Sequence, residues 1–361
     1  MVWPGVKHSH EAVAVPGVRL APGDALVQVE LATVCGSDLL TVQGRRPAPT
    51  PLILGHEQVG TIVAVGRSGA RATNGRRLSV GDRVVWSVAV PCGRCVRCRR
   101  GLSQKCLNLQ KYGHERMRRG WELGGGFATH VHVLSGTAIV QVPSDMPSTV
   151  LAPASCASAT VAAVLEAAAA SVPLAGEVVV VAGAGMLGLT AAAMAKDAGA
   201  KVVVIEPDPG RRALALAFGA DAVADPRVTG RNPTGILAAI ARAGGRTATT
   251  RVALELSGAP NSVRTLLGLV DVGGVVVLAG TVAPGPQVSF DPEQFVRRMI
   301  TVRGVHNYAP RHLERAVEFL ISAWERYPFA EQVGEILPLD RVDDALALAA
   351  IGSVPRVGLK P

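Results

Sequence analysis

Four cysteines crowd into PCGRCVRCRRGLSQKC, residues 91–106, at the spacing C-x2-C-x2-C-x7-C. Cys92, Cys95, Cys98 and Cys106 make the ligand set of a tetrahedral all-thiolate zinc site, with Zn–S near ~2.3 Å. An iron–sulfur cluster draws on a similar sulfur-rich set and stays open as an alternative. Four thiolates close the coordination sphere, so such a site braces the chain and leaves no position for substrate. Around Zn²⁺ they carry excess negative charge, which Arg94, Arg97, Arg99, Arg100 and Lys105 can offset. Local charge balance is enough to account for those cations; a field that attracts an anionic ligand is the other reading.

A second set is scattered: Cys35 in VCGSDLL, His56 and Glu57 in LGHEQVG, and Cys156 in APASCASATVAA. Taken singly, each is more ordinarily a buried core residue than a ligand. Combined with a nucleotide site they mean more. Two thiolates and one imidazole give a neutral three-ligand zinc site with its fourth position open, an arrangement suited to alcohol oxidation. Asp38 is placed to fix the histidine ring through a hydrogen bond to its other nitrogen.

The nucleotide pattern is Gly183-Ala184-Gly185-Met186-Leu187-Gly188, a G-x-G-x-x-G between the apolar run EVVVVA and an Ala-rich helical stretch. The flanks matter because the motif alone is common. The first glycine serves the turn, the second lets a pyrophosphate approach the backbone, and the third permits close helix–strand contact. The helix N-terminus then favours the phosphate charge. Glu206 ends the next apolar run, eighteen residues after Gly188, where a carboxylate accepts hydrogen bonds from an adenosine ribose and repels a 2′-phosphate. This favours NAD over NADP. Arg211 and Arg212 follow closely and work against that preference, and a plain surface acid is the bland reading of Glu206.

The elements that must position these groups fall into three segments. Residues 1–150 read as short strands punctuated by Gly and Pro, a compact β-rich domain with long loops. Residues 151–300 alternate helical stretches with the valine-rich runs EVVVVAG, KVVVIE, RVALELSG and GGVVVLAG. Their lack of period-two alternation suits parallel strands buried on both faces of a doubly wound α/β sheet. After about residue 300 come a predicted strand, ITVRGV, and two helices, and residues 301–361 either extend the nucleotide domain or return to the first.

At 361 residues the chain has length for about two domains. No apolar run reaches the ~20 residues that span a bilayer, and MVWPGVKHSHEAV lacks a signal peptide's apolar segment. The expectation is a cytoplasmic protein with reduced thiols and no membrane partner. The net charge of +9 sits in residues 1–150; residues 151–300 carry +1 and 301–361 carry −1. Such a balance raises nucleic acid as a partner, but a nucleic-acid-binding protein leaves Cys35, His56, Cys156 and the glycine motif unexplained. An inactive protein that senses NADH is a third reading.

In order along the chain, Cys35-Gly36-Ser37-Asp38, Gly55-His56-Glu57, the clustered cysteines, Cys156 and GAGMLG resemble the zinc-dependent alcohol dehydrogenases of the medium-chain dehydrogenase/reductase family. The resemblance spans nearly the whole chain. It implies a GroES-like catalytic domain with two zincs, a Rossmann domain inserted into it, and a C-terminal return to the catalytic domain. It also implies Cys35, His56 and Cys156 as catalytic ligands, Glu57 beside them and able to exchange onto the metal, and Cys92, Cys95, Cys98 and Cys106 as the structural zinc site. The implied chemistry is hydride transfer from an alcohol to NAD, with zinc as Lewis acid and Ser37 as the hydroxyl that takes the alcohol proton. A homodimer or homotetramer built through the nucleotide domains is implied as well.

One position departs from the pattern: Leu40 stands where many relatives carry a histidine that passes the proton to solvent. A narrower resemblance, carried by VVWSVAVPCGRCVRCRRGLSQKC and KYGHE, is to alcohol dehydrogenases associated with phosphonate catabolism. It implies an anionic alcohol, with polyols and neutral alcohols as the alternative. Arg45, Arg46, His114 and Arg116 are the candidate substrate contacts, and a solvated surface role is the competing reading of each.

Overall fold

The computed structural model describes residues 1–227, 234–244 and 249–361. The chain forms two compact units: one of residues 1–159, 308–325 and 329–361, the other of residues 160–307 and 326–328.

The first unit is built on a mainly antiparallel sheet ordered Val333–Pro338, Arg356–Lys360, Ala25–Thr33, Gln58–Val65, Arg83–Trp86 and Ile139–Gln141, with His130–Val133 also pairing along Ala25–Thr33. Ala25–Thr33 is central because its alternate residues Ala25, Val27, Val29 and Leu31 are all buried. Leu52, Leu54, Ile62, Trp86, Tyr112 and Phe127 fill the core beneath it. Each fully buried large side chain there contributes roughly 1.5–3 kcal/mol over its exposed state.

Register decides what this sheet does. Ala32 pairs with Gln58 on one side and Leu359 on the other, and Thr33 pairs with Gly358. Cys35, His56 and Arg356 therefore emerge close together although they belong to three separate segments of sequence.

The second unit holds a parallel sheet ordered Ala222–Ala224, Lys201–Ile205, Val178–Ala182, Thr250–Glu255, Val270–Leu278 and Thr301–Gly304. In chain order this is 3-2-1-4-5-6, the doubly wound Rossmann arrangement. Val178–Ala182 is buried at every residue, as expected for a strand covered on both faces. Thr301–Gly304 closes the far edge of this sheet, past the boundary expected at residue 300. Among the described residues, no single helix is long and apolar enough to cross a membrane.

Candidate active site

Cys35 immediately follows the central strand and sits at the N-terminus of helix Gly36–Val42, its N–H donating to Asp38 Oδ2 at 2.9 Å. His56 and Glu57 lead directly into the neighbouring strand, and the Thr33 N–H donates to the Glu57 carbonyl at 2.9 Å. Cys156 ends the short turn Ala152–Ser155, which Ser155 Oγ ties to the His56 carbonyl at 3.0 Å.

Ligand atoms of Cys35, His56, Glu57 and Cys156 thus lie within 4.8 Å of one another. The sulfurs of Cys35 and Cys156 are 4.0 Å apart. That is too far for a disulfide and near the ~3.8 Å edge of a tetrahedron with Zn–S of ~2.3 Å. The donor set therefore fits zinc.

The histidine ring is held from both sides. Ser37 Oγ lies 3.2 Å from Nε2, and Asp38 Oδ1 lies 3.4 Å from Nδ1. The second distance is longer than a strong hydrogen bond, yet both atoms are buried and have no other hydrogen-bond partner. Burial works to lower the His56 pKa, but Asp38 and the Cys35 sulfur outweigh it and push it up to about 10. The same negative surroundings favour a divalent cation. Cys35 is held well below the usual thiol range, first by its contact with Cys156, then by Arg356 and His56 against the effect of burial.

Arg356 is the residue that sequence reasoning missed. It is buried, and its Nε and Nη2 donate to Glu57 Oε2 and Oε1 at 2.6 and 2.7 Å, while Nη2 reaches Cys35 Sγ at 3.7 Å. Thr33 Oγ1 adds a third hydrogen bond to Glu57, at 2.7 Å. Burial raises the Glu57 pKa, with Arg356 opposing it. A bidentate guanidinium fixes the carboxylate in orientation as well as charge. The available signal was an arginine in the otherwise apolar strand RVGL, since a charge buried in a strand demands a partner.

The anionic-substrate candidates separate. Arg45 and Arg116 are exposed, Arg46 and His114 half-buried. The His114 ring packs against His56 with centroids 4.8 Å apart. This approach depends on glycine: a Cβ on Gly113 would fall 2.5 Å from the Gly55 carbonyl oxygen. Lys111, which the sequence reading did not single out, begins the same turn, its carbonyl accepting from the His114 N–H at 3.3 Å. Leu40 is half-buried on the Cys35 helix.

The other cysteine cluster is local. Ligand atoms of Cys92, Cys95, Cys98 and Cys106 also lie within 4.8 Å of one another, with Cys95 Sγ 3.5 Å from Cys98 Sγ and 3.8 Å from Cys106 Sγ. Backbone N–H groups serve the sulfurs: those of Cys92 and Asn108 donate to Cys106, at 3.2 and 3.3 Å. The N–H groups of Leu107 and Cys98 hold the Cys95 thiol down to about 6. Arg94, Arg97, Arg99 and Arg100 surround this cluster as exposed side chains.

In the second unit, Gly183 follows the buried strand Val178–Ala182 and Gly185 opens helix Met186–Asp197. A Cβ on Gly188 would lie 1.8 Å from the Gly183 carbonyl oxygen, so only glycine fits. A Cβ on Gly185 would meet nothing within 4 Å, which leaves space for a ligand at the helix start. Met186 is buried and Leu187 half-buried on the first turn. Gly183 also adjoins Ser257 at the end of strand Thr250–Glu255, so the motif sits where the strand order reverses.

Glu206 is at the adjoining strand end, but its carboxylate is already engaged: Oε2 accepts from the Ala184 N–H at 2.8 Å and Oε1 from the Asp208 N–H at 3.0 Å. Only 6% of the residue is exposed. The glycine turn leaves backbone donors in need of an acceptor, and this acid supplies one. Arg212 is committed to the Glu206 and Pro207 carbonyls and to Asp225. Arg211, half-buried, donates its N–H to the helix-capping Asp208 at 2.8 Å.

Residues 21–144 match the alcohol dehydrogenase GroES-like domain, and residues 187–322 match the zinc-binding dehydrogenase domain. A probable alcohol dehydrogenase of Mycobacterium tuberculosis is 32% identical over 348 residues, covering 92% of this chain and 89% of that protein. An L-threonine 3-dehydrogenase of Chelativorans sp. is 30% identical, covering 81% and 78%. The crystal structure of an alcohol dehydrogenase from Thermotoga maritima superposes with a TM-score of 0.90 at 29% identity, covering 100% of this chain and 98% of that one. With its GroES-like and Rossmann units and its cysteine-rich donor sets, the chain belongs to the zinc-dependent alcohol dehydrogenases of the medium-chain dehydrogenase/reductase family.

Proposed function

We propose that this chain oxidises an alcohol reversibly to an aldehyde or ketone at the Cys35–His56–Cys156 centre, with NAD as hydride acceptor. The observation that carries the reading is the convergence of these side chains, distant in sequence, on one largely buried set of donors beside the Ser37 hydroxyl. When bound, zinc supplies Lewis acidity at the substrate hydroxyl and the nicotinamide takes up hydride. Ser37 Oγ receives the alcohol proton. Asp38 orients the His56 ring, and Arg356 holds Glu57 beside the ligands without committing it to them. Leu40 offers no group for the onward transfer, so the proton leaves Ser37 through water.

Cys92, Cys95, Cys98 and Cys106 hold a second, structural zinc. Gly183, Gly185, Met186, Leu187 and Gly188 bind the dinucleotide pyrophosphate. Glu206 serves the adenosine side with its remaining lone pairs. The commitment of Arg212 to backbone carbonyls and Asp225 supports NAD rather than NADP.

For the substrate, the charge of +9 in residues 1–150 supports an alcohol that carries an anionic group, a phosphonate among them. L-threonine, the substrate in the name of one relative, is likewise an alcohol with a carboxylate. Polyols and neutral alcohols are the alternative. The chain pairs with a second copy through the exposed edge strand Thr301–Gly304, beside which Phe290, Val296 and Met299 are 59%, 77% and 66% exposed.

The test combines metal analysis, NADH titration and an NAD- and NADP-linked screen of hydroxyalkylphosphonates, hydroxy acids, polyols and neutral alcohols. Two zincs per chain, saturable NADH binding and turnover of one class are expected. Salt-sensitive binding of DNA or RNA with no NADH binding would overturn the proposal.

A further inference from the structure

Near the Cys35–His56–Cys156 centre the first unit gathers half-buried basic side chains from two segments, Arg46 and Lys111–His114. The turn Lys111–His114 is pressed against Gly55 by Gly113 and lays the His114 ring on His56. Lys111 and Arg46 are half-buried and lie within Coulombic reach of each other and of His114, and Lys111 within reach of the Cys156 sulfur. The nearby acids are already accounted for. Glu57 is neutralised by Arg356, and two thiolates with an imidazole would be neutralised by one Zn²⁺. Asp38 accepts from the Cys35 N–H and faces the His56 ring, and Glu115 lies within reach of Lys111.

Holding Lys111 half-buried beside other cations is costly, and the cost shows. Burial, then Arg46 and Lys105, bring the Lys111 pKa down to about 8. The His114 ring, half-buried against His56, brings a ring N–H to the same region. A residue that served only to pack this turn would do so at lower cost as leucine or methionine.

Resting on the proposed alcohol oxidation, we propose that Lys111 and Arg46, with the ring of His114, form the subsite that receives the anionic group of the substrate while its hydroxyl meets the Cys35–His56–Cys156 centre. The chemistry is that of a compact oxyanion, phosphonate, phosphate or carboxylate, on the carbon chain that bears the hydroxyl. Arg46 supplies a fork for two oxygens and Lys111 a point charge. The site lies on residues Arg46 and Lys111–His114, outside the metal ligands and outside the glycine motif.

The decisive measurement uses the zinc-loaded full chain and two readouts. In the first, kcat/KM is compared for hydroxyalkylphosphonates, hydroxy acids and neutral alcohols of matched length. Lys111→Met and Arg46→Met should each lower the anionic-to-neutral ratio about 30-fold, the effect of losing one charge-assisted contact, and Arg45→Met should leave it unchanged. In the second, propylphosphonate and butyrate are titrated calorimetrically; binding of at least one in the wild type and its loss in Lys111→Met are expected, and the preferred probe identifies the oxyanion. An unchanged ratio, a loss confined to the KM for NAD, or failure of both probes to bind the wild type would overturn the subsite. Absence of turnover with every alcohol, alongside intact and Lys111-dependent probe binding, would instead overturn the alcohol oxidation and leave the anion site standing.

Discussion

The two cysteine sites in the first unit solve the same coordination problem in opposite ways. Cys92, Cys95, Cys98 and Cys106 come from a single loop, three of them only half-buried, and their sulfurs are served by backbone N–H groups of that loop. Cys35, His56 and Cys156 come from three segments, and the strand carrying Arg356 adds a fourth. A closed site needs little more than spacing. An open one must be prevented from closing, and that takes side chains whose charge and orientation are set by the whole sheet.

The sharpest way to break the contrast is Cys35→Ser. It should cut kcat/KM by roughly three orders of magnitude, since several kcal/mol of Lewis-acid stabilisation are lost, while NADH binding and the metal at the four-cysteine loop persist. Loss of both metals would mean that the sites are one cooperative structure. Cys106→Ser should do the reverse, lowering Tm by roughly 5 °C or more through loss of a bracing metal. Its kcat per folded, metal-replete molecule at the other site should fall far less than in Cys35→Ser. Arg356→Met tests the control exerted on the open site. Stranding buried Glu57 should cost about 3–5 kcal/mol in urea unfolding, and Glu57→Gln in the same chain should recover much of it. Failure of that rescue would make Arg356 a packing residue.

Two smaller effects sharpen the contrast further. Lys111 is charged below about 8 and loses its proton above it, so the anionic-to-neutral ratio of kcat/KM should fall several-fold as pH rises through about 8. Burial first, then Arg46 and Lys105 against Cys156 and Glu115, set that midpoint, with His114 also near Lys111, while the ratio cancels any pH dependence of hydride transfer itself. A flat ratio in the wild type would show that Lys111 does not meet the substrate. Leu40→His should raise alcohol oxidation at most a few-fold and alter its pH profile if proton exit limits the rate; an unchanged rate and profile would show that water already suffices.

What was legible in the sequence follows from how local each interaction is. The four-cysteine spacing and the glycine motif are contiguous patterns, so their ligand atoms and close approaches could be read before any fold was known. Valine runs without alternation similarly announced the doubly wound sheet. Cys35, His56 and Cys156 could be grouped from their ligand chemistry beside a nucleotide motif, and by resemblance, but nothing in their spacing brings them together; the pairing of Ala32 with Gln58 helps to do that. Arg356 left only the faint signal of a charge in an apolar run, and Lys111 left none. Each looks like an ordinary basic residue until the register of one strand and the backbone of Gly113 place it beside the centre. Glu206 shows the opposite difficulty: its position was clear, but its engagement with the Ala184 N–H depends on a turn whose unpaired donors only coordinates reveal.

The Arg356 strand also has a consequence for the birth of the molecule. Arg356 meets Cys35 across 321 residues, so at ~5–20 residues per second a ribosome separates the two by roughly 15–60 s. The four-cysteine loop can capture its metal soon after Cys106 emerges. The open site must wait through synthesis of the nucleotide unit, with Glu57 lacking its cation and the Cys35 thiol unguarded. Oxidants and competing metals therefore have a window in the nascent chain that closes when the last strand joins the sheet.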